Sequence, residues 1–118
     1  MSYKEQFIWK KAVNLSVRCY KLTAYFPKSE IYGITSQIRR SSVSIPSNIA
    51  EGYGRQNKKE YIRFLRIALG SARELETQLI ISLKVELTKS NYIESVLKDS
   101  DEIQRLLVTT INKLLIEV

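Results

Sequence analysis

Apolar residues recur along this chain at helical spacing in four separate stretches. In the first, from about Lys4 to Tyr25, the residues Ile8, Ala12, Leu15, Cys19, Leu22 and Phe26 alternate steps of four and three, the repeat of one face of an α-helix. Trp9, Val13, Val17, Tyr20 and Ala24 form a second stripe beside it, with Lys10, Asn14, Arg18 and Lys21 on the polar side. Phe26-Pro27 ends this helix, because the residue before a proline is pushed out of the α region. Ser29 is then a candidate cap for the next helix.

The second stretch starts near Glu30 and runs through Ile31, Ile34, Ile38, Ser42, Ile45, Ile49 and Gly52. Pro46 interrupts it chemically but not in phase. A proline inside a helix removes one backbone hydrogen bond and costs about 3 kcal/mol, yet Ile45 and Ile49 continue the pattern set by Ile38. The spacing predicts one long kinked helix, with hydroxyls of the crowded Ser41, Ser42, Ser44 and Ser47 serving the backbone groups that proline leaves free. Gly52-Tyr53-Gly54 is expected to close it with a left-handed glycine cap.

Asn57 followed by Glu60 resembles a capping box and opens a third helix reaching about Val85. Its stripe is Tyr61, Leu65, Ala68, Ala72, Leu75 and Leu79, widened by Ile62, Phe64, Ile67 and Leu69. After a short link at Thr88 to Ser90, a fourth helix carries the seam Ile93, Val96, Ser100, Ile103, Leu107, Thr110 and Leu114, a heptad pattern. Four helices with short connections predict an all-α fold, an antiparallel up-down-up-down four-helix bundle, forming one domain over residues 1–118. Helices one and three are apolar beyond one seam, which predicts self-association into a closed symmetric ring. Wide stripes that simply fill the core are the other reading.

Composition narrows the chemistry. The chain has no histidine and one cysteine, so the usual nucleophilic triads and zinc sites cannot be assembled. No catalytic residue, metal or cofactor is expected. Cys19 lies on a core stripe and reads as an inert, small apolar residue. No apolar run reaches the roughly 18 residues of a membrane span and no signal-peptide pattern opens the chain, so a cytoplasmic location is expected.

Charge is unevenly spread. The net charge is +7, but residues 1–73 carry 14 Lys/Arg against 4 Asp/Glu, and residues 74–118 carry 5 against 8. A polyanion would therefore meet one part of the fold. Lys59, Arg63, Arg66 and Arg73 fall on one helical face, and Arg55, Lys58 and Lys59 crowd the start of the third helix, where the dipole disfavours cations. A bound phosphate would relieve that crowding. Arg39 and Arg40 join the patch if the helix faces align. Two readings remain: a nucleic-acid surface, RNA first, or a solvated basic face with Glu60 and Glu74 as partial partners. Tyr53 is a candidate for stacking on an unpaired base, whereas Tyr61 sits on the apolar stripe. Ser44, Asn48 and Glu51 share one side of the second helix and predict a structural polar cluster, with Glu51 and Arg55 paired at i,i+4.

Residues 26–52, with Ser44-Ile45-Pro46-Ser47-Asn48-Ile49-Ala50-Glu51-Gly52 at their end, resemble the signature of the bacterial four-helix bundle proteins encoded in intervening sequences of 23S rRNA genes. Residues 65–79, Leu65-Arg66-Ile67-Ala68-Leu69-Gly70-Ser71-Ala72-Arg73-Glu74-Leu75-Glu76-Thr77-Gln78-Leu79, resemble the family's second block. The resemblance implies an antiparallel bundle, a second helix unbroken through Pro46, a basic surface and often a five-membered ring. It implies RNA or other nucleic acid as the partner. A related branch implies a protein partner instead, the reverse transcriptase of diversity-generating retroelements. It carries no catalytic residue. Where the family often has a small residue such as alanine, this chain has Ser41 and Ser42, which is expected to weaken packing slightly.

Overall fold

The computed structural model describes residues 2–117. Four α-helices, α1 Phe7–Thr23, α2 Ile34–Gly54, α3 Lys58–Lys84 and α4 Ser90–Ile116, make up most of it. Short 3-10 turns at Tyr3–Glu5 and Lys28–Glu30 precede α1 and α2. Each helix packs on its neighbours in the chain and α1 closes against α4, giving a rod of 48 × 20 × 20 Å. Side-chain pairs fix the antiparallel sense. Ser41 meets Gln78 and Ser44 meets Ser71, while Lys11 pairs with Glu102 and Arg18 with Asp99. This is the predicted four-helix bundle.

The core is built from the stripes. Leu15, Cys19, Ile38, Ile45, Ile49, Leu65, Leu75, Leu79, Ile93, Ile103 and Leu107 are essentially sealed from solvent. Burial pushes the Cys19 thiol up to about 12, which keeps it protonated and unreactive. The last turns of α4 depart from the heptad. Thr110 and Leu114 are only half-buried, and Ile111 is buried in their place, because a straight helix of 3.6 residues per turn drifts off a 3.5-residue repeat.

The helix ends differ from expectation in three ways. First, α2 begins at Ile34, four residues late. Residues 28–30 form a 3-10 turn, Ile31 is exposed, and Gly33 rather than Ser29 is the N-cap. Second, no glycine adopts a left-handed backbone among the described residues. Gln56 takes that role at φ 53° after α2, and Glu86 does so at φ 58° after α3. Third, Asn57 caps α3 by accepting from the Glu60 amide at 3.0 Å, but the Glu60 carboxylate turns to Arg63 instead of completing the box.

Pro46 lies buried inside a continuous α2. Its missing N–H would have bonded the carbonyl of Ser42. That carbonyl instead accepts a 2.7 Å hydrogen bond from Ser16 Oγ of α1. The expected local rescue does not occur: Ser42 Oγ donates to Arg39 O at 2.9 Å and Ser41 Oγ to Gln78 Oε1 at 2.7 Å. The neighbouring helix supplies the donor. The buried hydroxyls of Ser41 and Ser42 are thus satisfied rather than merely tolerated.

Gly52 explains why α2 and α3 approach closely at their connected ends. A Cβ built there would lie 2.6 Å from Phe64 Cβ and 3.2 Å from the Tyr61 ring. Gly70, by contrast, faces open space within its helix.

Two stability predictions follow from these contacts. Ser16→Ala leaves a buried carbonyl unsatisfied and should cost about 1–3 kcal/mol. Pro46→Ala returns an N–H to it, so the cost of Ser16→Ala should shrink by at least about 0.5 kcal/mol in that background; additive values in a urea-denaturation cycle would refute the link. Gly52→Ala should cost about 1–3 kcal/mol by overpacking, outweighing its propensity gain, whereas Gly70→Ala should gain about 1 kcal/mol. The two urea midpoints must move in opposite directions.

Candidate nucleic-acid interface

The basic face of α3 follows from helical geometry. Lys59, Arg66 and Arg73 are seven apart, which returns each side chain to nearly the same direction about 10 Å further along the axis. Arg63 lies one turn from Lys59 on the same side. All four are exposed. Lys59, Glu60, Arg63 and Arg66 line one open groove of about 540 Å³ together with Ile62, Ile67 and Leu115. Cations thus rim an apolar trough running between α3 and the end of α4.

These cations are not equivalent. Arg63 donates to both Glu60 carboxylate oxygens, at 3.0 and 3.1 Å, and its guanidinium carbon lies 4.4 Å over the Phe64 ring. The hydrogen bonds from Arg63 hold the Glu60 carboxyl below its ordinary range, and Glu60 in turn raises Arg63. The pair is therefore intact at neutral pH and lost only as acid protonates Glu60. No carboxylate lies within ion-pair reach of Lys59, Arg66 or Arg73 among the described residues.

The rest of the expected patch is dispersed. Arg55 pairs with Glu51 at 3.3 Å and lies 5.1 Å over Phe64. Lys58 donates to the Glu117 carbonyl at the end of α4, and Asn57 caps one amide at the start of α3, that of Glu60. Arg40 is exposed on α2. Arg39 turns the other way, toward α1, where Nε donates to Thr23 Oγ1 at 2.9 Å and the guanidinium stacks 4.7 Å from Tyr20. The faces of Arg39 and α3 do not align.

Tyr53 is half-buried, its ring edge-on to Tyr61 at 5.9 Å, and Tyr61 hydroxyl donates to Gln6 Oε1 at 3.1 Å. Tyr61 is partly buried against the core. The polar cluster forms in part. Asn48 Nδ2 bonds Ser44 O and Oγ at 2.8 and 3.0 Å, and Ser44 Oγ meets Ser71 Oγ at 2.9 Å across the α2–α3 seam. Glu51 stays outside it, exposed beside Arg55. The groove is what sequence reading missed: Leu115 comes from a helix end some 50 residues from Ile62 and Ile67, and no local spacing announces that meeting. No group of three or more acidic or cysteine side chains is placed to hold a metal among the described residues, and no helix is long and apolar enough to cross a membrane.

No curated protein matches the sequence. The fold and sequence are similar to the crystal structure of a protein of unknown function from the S23 ribosomal protein family of Bacteroides thetaiotaomicron VPI-5482. The two share 32% identity over 88% of this chain and 97% of that one, with a TM-score of 0.79. The family model described as 23S rRNA-intervening sequence protein matches residues 4–109, and the chain therefore belongs to the 23S rRNA-intervening sequence protein family.

Proposed function

We propose that this protein is a non-catalytic RNA-binding bundle whose α3 face holds the phosphate backbone. The observation that carries the reading is the alignment of Lys59, Arg66 and Arg73 with no carboxylate within ion-pair reach among the described residues, beside an Arg63 that Glu60 holds in place. Phosphate contacts of this kind position a strand without reading its sequence, and stacking by Tyr53 is a secondary contribution. The 23S rRNA context of the family supports RNA as the polyanion. A chain without histidine lacks the commonest group for acid–base catalysis.

A second reading has its own support. Ile67 of α3 and Leu115 of α4, which line one groove, are exposed. Such a surface favours assembly, either a homo-oligomeric ring, five-membered by resemblance, or docking of a protein such as a reverse transcriptase. Native mass determination separates a ring from a monomer awaiting another protein.

The RNA reading sets an order among variants. Arg66→Ala should weaken binding of a single-stranded RNA more than Arg63→Ala, because Arg63 must share its guanidinium with Glu60. Glu60→Gln should strengthen binding. Each lost phosphate contact should lower the slope of log K against log salt by about 0.7. Salt titrations by fluorescence anisotropy measure all three, and a Lys59→Glu, Arg66→Glu variant that binds as well as the parent at low salt overturns the reading.

A further inference from the structure

Glu60 and Arg63 lie three residues apart on α3, a spacing that brings their side chains together. Two neighbours then fix Arg63. Its Nε and one terminal nitrogen donate to the two Glu60 carboxylate oxygens, at 3.0 and 3.1 Å, and its guanidinium carbon lies 4.4 Å over the Phe64 ring. Phe64 is itself anchored in the α2–α3 seam, buried against Gly52. A rigid planar group bonded along one edge and resting on a ring has little freedom left.

The ion pair also changes what Arg63 can bind. Its charge is partly answered by Glu60, so it is a weaker phosphate partner than Lys59 or Arg66, which have no carboxylate within ion-pair reach among the described residues. Its flat surface stays available. The Arg63 side chain is 54% exposed, and it lines the open groove with Ile62, Ile67 and Leu115. The groove therefore combines free cations, a fixed guanidinium and aliphatic side chains. A phosphate needs only the first. An unpaired base stacks on an arginine plane much as on an aromatic ring, whereas a duplex keeps its bases stacked on one another.

We infer that the α3 groove takes single-stranded RNA with an unpaired base laid on the Arg63 guanidinium, while Lys59 and Arg66 hold the flanking phosphates. The inference rests on the phosphate-binding reading of the α3 face. Arg63 touches the base; Glu60 is a positioning residue that acts through Arg63.

Fluorescence anisotropy of the full chain tests it with two single-stranded oligomers of equal length and charge, a natural RNA and one whose internal bases are replaced by abasic riboses. The parent should bind the natural oligomer about threefold tighter, less than an aromatic platform gives. Loss of this stack is smaller than loss of the Arg66 phosphate contact, so the order of the alanine variants is unchanged. Arg63→Lys keeps the charge and removes the plane, and the ratio should fall to about one. Glu60→Gln should raise affinity for both oligomers, because it frees a positive charge, yet lower the ratio, because the guanidinium is no longer held. A purely structural role for Glu60 would not move those two readouts in opposite directions. Should Arg63→Lys not fold, Glu60→Gln decides: a fallen ratio supports the inference and an unchanged one overturns it. A ratio of about one in the parent, or a ratio that Arg63→Lys leaves at the parent value, overturns the inference and leaves the phosphate reading standing. No binding of either oligomer by the parent at low salt overturns the phosphate reading, and this inference with it.

Discussion

A hydrogen bond of 2.7 Å from Ser16 of α1 to the Ser42 carbonyl of α2 lets a proline sit in the middle of the helix that touches both α1 and α3. A buried carbonyl without a donor is costly, and Pro46 creates one by construction. Had α2 broken there, Ile49 and Gly52 would have lost phase with Ile38 and Ile45. Gly52 would no longer face Phe64, where the absence of a Cβ lets the start of α3 pack closely. The direction of α3, and with it the direction of its cations, therefore depends on a donor borrowed from α1.

Charge is arranged by the same packing. The acidic second half of the chain is not simply remote from the basic first half. Asp99 and Glu102 of α4 pair with Arg18 and Lys11 of α1, and Arg18 also reaches Ser95 Oγ at 2.6 Å. These pairs are partly exposed, so their worth in stability is modest. They hold two of α4's carboxylates at the α1 seam, while Asp101 pairs with Arg105 within α4.

Polar groups inside the α2–α3 seam follow a similar division. Ser41 with Gln78, and Ser44 with Ser71 and Asn48, satisfy one another, which fixes register between two otherwise slippery apolar faces. Thr35, at the beginning of the same helix, is buried and unsatisfied. The contrast separates side chains that hold the bundle together from one that the packing leaves unpaired.

Periodicity determined the four helices and most of the core, because a stripe repeating every 3.6 residues must bury one face, and the short connections gave their antiparallel order. Spacing likewise placed Lys59, Arg63, Arg66 and Arg73 together, since one helix carries them all. The family was legible in residues 44–52 and 65–79. What packing alone decided are relations between helices. It turned Arg39 toward Thr23 rather than toward α3, brought Leu115 into one groove with Ile62 and Ile67, and gave Pro46 its donor from Ser16. It also used Gly52 for close approach and left the turn to Gln56. Each depends on the rotation of one helix against another, which is set by how buried side chains interlock and leaves no mark in the spacing of either helix by itself.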